Sequence, residues 1–331
     1  MSSPAPHGGP STPRPCGRPG GSTPRPGTAA THALPQHRRH RRFPWLAGSA
    51  LLLAACAEGA PSPGQRPGTE LPDAAAPAVV PVSDAPVVGW EAYGGDPGSA
   101  RWSPLADLTP DNVAALEPAW TWETGEARHA ARLTGETVVP GKFEATPITL
   151  GDTLVLSTPF NRVVALDGAT GRELWSFDPG ATDHGLIADD RSGFVHRGVA
   201  AWSDGEERRI FHASRWQLHA LDARDGTPVE EFGEGGAVDL SRGLRWEVNR
   251  LHVGRTSPPV VWGDVVVVGS VVGDRIIYER DPPGDVLAFD ARTGERLWRW
   301  DPVPAEGTPE RATWGGRSAE VTGHVNVWAP M

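Results

Sequence analysis

A chain of 331 residues is long enough for about two ordinary domains or one large all-β domain. Gly and Pro supply 40 and 34 residues, and 14 Trp stand against 2 Tyr, a composition of many turns rather than long helices. Residues 1–56 carry seven Arg and no acid, which leaves 24 basic against 41 acidic residues in the other 275; so acidic a body excludes nucleic acid as a partner.

The first element in chain order is a basic run, His37 to Arg42, followed by an apolar stretch from Phe43 to Ala55. Thirteen apolar residues are too few to span a bilayer and match the hydrophobic region of a signal peptide. Leu53-Ala54-Ala55-Cys56 resembles the lipobox of bacterial lipoproteins, which implies cleavage before Cys56 and lipidation of its thiol. A cleaved secretory signal with an incidental Cys is the alternative. Several acyl chains would anchor the protein stably to a membrane where one would not. Residues 1–55 therefore read as a signal peptide with a long basic start, and residues 56–87 as the lipidated Cys and an Ala/Pro/Gly-rich disordered linker. Cys16 and Cys56 are the only cysteines, so the mature chain has no thiol pair for an internal disulfide.

Further along, ALDGATGRELWSFDP at residues 165–179 returns as AFDARTGERLWRWDP at residues 288–302. A weaker copy, QLHALDARDGTPVEEFGEGG, begins at Gln217 and places Phe232 near the Trp position. Each copy follows a β-rich run: DTLVLSTP from Asp152, RRIFHAS from Arg208 and DVVVVGSVV from Asp264. Each unit thus has at least three strands, and the spacing leaves room for four. Three such units predict a repeat architecture, and four-stranded units of this length predict a β-propeller. A β-sandwich with repeated hairpins is the alternative. Burying roughly 200 Å² of indole at about 25 cal/mol per Å² yields on the order of 5 kcal/mol gross, so one Trp per unit can fasten each sheet to the next.

The unit A-x-D-x-x-T-G-x-x-x-W resembles the tryptophan-docking motif of pyrroloquinoline quinone (PQQ) dependent dehydrogenases, which are eight-bladed propellers. The stretch from Trp90 to Glu126 is similar to the start of the membrane-bound glucose dehydrogenase branch, and FEATPITLGDTLVLST, HRGVA, TSPPVV, PPGDVLAFDARTGERLW and NVWAPM follow in family order. The resemblance covers residues 88–331 and implies an all-β propeller of which about half is present, truncated at the C-terminus.

No H-E-x-x-H, P-loop, G-x-S-x-G or C-x-x-C-H motif is present, so chemistry has to come from a non-covalent cofactor. The resemblance implies PQQ together with Ca²⁺. Trp328 in NVWAPM matches the family Trp on which the quinone lies, its alternative being one more packing Trp. Arg197 in HRGVA matches an Arg facing the cofactor, and a guanidinium can grip a carboxylate bidentately; a solvated Arg is its alternative. Glu144 in FEATP matches a Glu at the cofactor rim, although a carboxylate beside an anionic ligand is not what electrostatics alone would select. Thr256 and Ser270 match hydroxyls that hydrogen-bond the cofactor, and ordinary strand-end hydroxyls read the same way.

The chain departs from the family in several places. It lacks the adjacent Cys pair that alcohol dehydrogenases of the family carry before Arg-Gly, and Gly273, followed by Asp274, stands where they have a calcium-ligating Glu. Both absences favour the glucose-dehydrogenase-like branch, yet that branch's His upstream of Arg-Gly is replaced by Gly193. The general-base Asp is expected beyond Met331, so no catalytic residue is assigned within the chain. The implied activity is PQQ-dependent oxidation of an alcohol or sugar at the periplasmic or outer face of a membrane, with electrons passed to a membrane quinone or cytochrome. The alternative is a non-enzymatic propeller lipoprotein of the outer-membrane assembly type.

Overall fold

The computed structural model describes residues 89–96, 98–186, 194–271, 280–323 and 325–331. The signal-like segment, Cys56, the linker, Gly193, Gly273 and Asp274 lie outside the described residues. A short hairpin, β1 (His129–Ala130) and β2 (Thr137–Val138), comes first. Three four-stranded antiparallel sheets follow one another along the chain. The first comprises β3 (Ile148–Leu150), β4 (Thr153–Ser157), β5 (Val163–Asp167) and β6 (Glu173–Phe177). The second comprises β7 (Ala200–Ser203), β8 (Arg208–Ser214), β9 (Gln217–Asp222) and β10 (Ala237–Asp239), and the third β11 (Val260–Trp262), β12 (Val265–Val268), β13 (Val286–Asp290) and β14 (Arg296–Trp300).

Within each sheet the strands pair in sequence order, the meander that short hairpin turns impose. The third strands explain why the sheets stack. Val163 to Leu166, Leu218 to Leu221 and Val286 to Phe289 are buried without alternation, so both faces of each strand need cover. Ile148, Val155 and Val163 of the first sheet pack with Ile210 and Leu221 of the second. The second sheet's other face, with Phe211 and Leu218, packs with Val266, Val268 and Phe289 of the third. The first strands β7 and β11 touch, whereas β14 is exposed along its length. Successive sheets that use both faces and converge at their first strands are propeller blades, not the two layers of a sandwich. Among the described residues no helix is long and apolar enough to cross a membrane.

The repeated motif builds the turn between third and fourth strands. Asp167 Oδ1 accepts from Thr170 N at 2.8 Å and Thr170 Oγ1 at 2.7 Å, and Asp290 Oδ1 accepts from Thr293 N at 2.8 Å and Thr293 Oγ1 at 3.1 Å. These bonds, the Thr170 hydroxyl foremost, hold the Asp167 carboxyl below its ordinary pKa. Gly171 closes its turn at φ 70°, a left-handed conformation that glycine adopts at no steric cost.

The same glycine is the seat of a tryptophan. The Trp120 ring lies so close to Gly171 that a Cβ there would stand 2.5 Å from it, and Trp120 Nε1 donates to Gly168 O at 3.1 Å. Trp175 of β6 repeats the contact one blade later: its ring covers Gly226, and its Nε1 donates to Ala223 O at 3.3 Å. The expected inter-sheet role of Trp175 is therefore realised. Trp120 plays the same part ahead of the first blade, where it precedes any copy of the motif.

The weak second copy folds differently from the other two. After Pro228 and Val229, which still pair with β9, the chain leaves the sheet until Gly236, and the fourth strand β10 forms from Ala237 to Asp239 instead. Phe232, expected near the docking-Trp position, is fully buried and packs on Phe211 with ring centroids 5.4 Å apart. At the docking position the contact with the third blade is made by backbone, Gly233 N to Thr293 O at 2.9 Å.

Candidate cofactor-binding cleft

Three segments occupy the same place in three consecutive blades, just ahead of the first strand: residues 144–147 before β3, 195–199 before β7 and 254–259 before β11. Their backbones are laced together. Thr146 N donates to Arg197 O at 2.9 Å, and Arg197 N donates to Thr256 O at 2.9 Å. Gly198, at φ 147° and with Thr146 O only 3.0 Å from any Cβ it could carry, allows this close passage.

Side chains converge on the lacing. Arg197 Nη2 lies 2.9 Å from Glu144 Oε2, and its Nη1 donates to Thr256 O at 3.3 Å. The guanidinium stands over the Trp328 ring, 5.1 Å from the centroid, a cation–π distance. Trp328 is itself tied in by Ser257 Oγ, which donates to its carbonyl at 2.5 Å, yet the residue remains 52% exposed. Ser270 N donates to Val327 O at 3.0 Å, and a narrow slit is lined by Arg255, Thr256, Ser270, Val327 and Trp328. All five residues singled out in the sequence, Glu144, Arg197, Thr256, Ser270 and Trp328, thus meet at one place.

The ion pair resolves the electrostatic objection to Glu144. A carboxylate here serves Arg197, fixing the direction of its planar fork, and so need not face an anionic ligand. The hydroxyls give the clearest sign of ligand binding: Thr256 Oγ1 and Ser270 Oγ are buried and have no hydrogen-bond partner among the described residues, a condition native structures rarely show. An exposed indole face, a guanidinium and two unpartnered hydroxyls suit a flat, anionic ligand rich in acceptors. PQQ is such a molecule. No group of three or more His, Cys, Asp or Glu side chains is arranged for a metal ion among the described residues.

Two residues of the site escaped sequence reasoning. His196, fully buried, accepts at Nδ1 from Gly198 N at 3.2 Å, contacts Ser157 Oγ at 3.0 Å with the same nitrogen, and lies 2.9 Å from Ala213 O through Nε2. These partners select the neutral tautomer with the proton on Nε2 and pin the loop that carries Arg197. Its ring is 4.4 Å from that of His212, which pairs across the sheet with His219. Burial lowers the pKa of His196 and of His219 to about 4, and lowers His212 further below its ordinary value. The other missed residue is Arg255, one position before Thr256. Adjacency to a recognised motif was the only signal for either.

A cleft of about 890 Å³ lies elsewhere, between the rims of the first and second blades beside Trp175, Glu207 and Arg224. It contains none of the residues above.

The family described as glucose/ethanol/alcohol dehydrogenase, PQQ β-propeller domain, matches residues 90–331. The chain is 32% identical over 241 residues to the quinoprotein glucose dehydrogenase of Escherichia coli, covering 68% of this chain and 28% of that one. It is 30% identical over 332 residues to the glycerol dehydrogenase large subunit of Gluconobacter thailandicus, covering 95% and 42%. A solved quinohemoprotein alcohol dehydrogenase from Pseudomonas putida HK5 superposes with a TM-score of 0.54 at 25% identity, over 74% of this chain and 32% of that one. The one from Comamonas testosteroni gives 0.51 at 27% identity, over 66% and 28%. The chain therefore spans well under half the length of these relatives.

Proposed function

The chain belongs to the PQQ-dependent dehydrogenase β-propeller family, and from that premise we propose that its cleft binds PQQ and forms the cofactor-holding part of a glucose-dehydrogenase-like enzyme for sugars or alcohols. The observation that carries the proposal is the meeting of Glu144, Arg197 and Trp328 with two buried hydroxyls that lack partners. Bound there, the quinone supplies a two-electron acceptor for an alcohol carbon.

Binding and orienting that group fall to residues of this chain. Trp328 offers a stacking face, Arg197 holds a carboxylate while Glu144 orients it, and Thr256 and Ser270 donate hydrogen bonds to the ligand rim. His196 keeps Arg197 in place from below. Ca²⁺ enters the proposal as a family requirement only, and no step is assigned to it. Electrons pass to a membrane quinone or cytochrome, at a membrane to which lipidated Cys56 anchors the protein on its extracytoplasmic face; Cys56→Ser should then release it into the soluble fraction.

Absorbance titration with PQQ in the presence of Ca²⁺ tests the central reading. Arg197→Ala should weaken binding by about 1.5 to 3 kcal/mol, as for one charge-assisted partner, and Trp328→Ala comparably. Absence of PQQ binding to the folded wild-type protein would overturn the reading.

A further inference from the structure

Arg255 is only 6% exposed. Its Nη1 donates to the carbonyl of its own neighbour, Gly254, at 2.6 Å, and its Nε has no partner among the described residues. Among the described residues no carboxylate lies within ion-pair distance of it. Burial lowers its pKa to about 10, so the group is still cationic at neutral pH. A buried cation without a counter-ion is costly, and such groups are ordinarily paired.

Its position says what would pair with it. The bridge between Gly254 and Val271 brings Arg255 and Thr256 alongside Ser270, and all three line the slit beside Trp328. Arg255 Nε, Thr256 Oγ1 and Ser270 Oγ are each buried and unpartnered, which makes one wall of the slit a cluster of unused donors. Asp285 is the competing explanation, being 1% exposed and within electrostatic reach of Arg255. Its ion pair, however, is with Arg299, at 3.3 Å.

Resting on the reading that the cleft receives PQQ, we propose that Arg255 is a second cofactor-binding guanidinium, which holds a ligand carboxylate other than the one held by Arg197. Two arginines on neighbouring segments would fix a rigid polycarboxylate at two points, setting its rotation over Trp328.

The test is equilibrium binding of PQQ and of its trimethyl ester to wild-type protein, Arg255→Met, Arg255→Lys and Arg197→Ala, with unfolding curves recorded without ligand. Arg255→Met should weaken PQQ binding about 10- to 100-fold, the range for losing one charge-assisted partner, and should narrow the preference for the acid over the ester. Arg255→Lys should recover part of the loss. If wild-type protein and Arg197→Ala behave as the proposed function requires and Arg255→Met binds PQQ unchanged, this inference alone is overturned; if wild type binds no PQQ, the underlying reading falls. Should Arg255→Met not fold, Arg255→Lys decides: unchanged PQQ affinity overturns the proposal, and a fall of about fivefold or more supports it.

Discussion

Trp175 and Trp298 occupy the same place in two copies of one fifteen-residue motif, opposite Ala165 and Ala288 at the same register break. Trp175 lies on Gly226 of the next blade and donates to Ala223 O, whereas Trp298 is 45% exposed, with Leu297 and Trp300 beside it at 48% and 53%. The motif therefore supplies the ring but not its burial. What buries it is the turn of the following repeat, whose glycine leaves room for an indole.

Acid should separate the two regions most strongly. The blade interface beside Trp175 contains His196, His212 and His219 buried neutral, while β14, which carries Trp298, contains no histidine. The folded state keeps His196 and His219 unprotonated down to about pH 4, and the unfolded chain protonates them below about 6.5. Their contribution to stability is thus complete above pH 6.5 and is lost as pH falls toward 4, with a slope of up to about 1.4 kcal/mol per unit for each group. Urea midpoints measured across that window should fall with acidification, and His219→Leu should flatten the slope.

Next in size is Trp175→Ala, which should cost about 2 to 4 kcal/mol. That is toward the lower end for a large aromatic, because the ring is only half-buried. Gly226→Ala should cost about 1 to 3 kcal/mol, since its φ is 75° and a Cβ would stand 2.3 Å from the Trp175 ring. Combining the two should cost less than their sum, because removing the ring removes the clash; strict additivity in chemical denaturation would break the stacking account. The smallest effect belongs to Trp298→Ala, within about 0.5 kcal/mol, as for an exposed position. A cost there equal to that at Trp175 would mean that the indole acts within its own sheet, and the contrast between the two faces would collapse.

Much of the site was legible because its residues sit in short, distinctive words: FEATP, HRGVA, TSPPVV and NVWAPM place Glu144, Arg197, Thr256 and Trp328, and the structure brings them together. His196 lay inside HRGVA and Arg255 just ahead of TSPPVV, and both were passed over. A buried histidine and a solvent-facing one are written alike, and only the partners of His196, drawn from β4 and β8, distinguish them. Phe232 misled for a related reason: its distance from the turn matched the Trp position, but the chain leaves the sheet after Val229, returns at Gly236 and carries Phe232 into the core between them.

Local pattern was enough to specify the repeat, the Asp/Thr/Gly turn and the four-stranded unit, because strand alternation, turn hydrogen bonds and glycine conformation act within about twenty residues. Which tryptophan is covered, which guanidinium is paired and which hydroxyls lack partners were decided by segments about 50 to 60 residues apart that meet only when one blade stacks on the next. Burial and electrostatic pairing belong to such meetings, since desolvation depends on every neighbour that displaces water and not on the residue displaced from it.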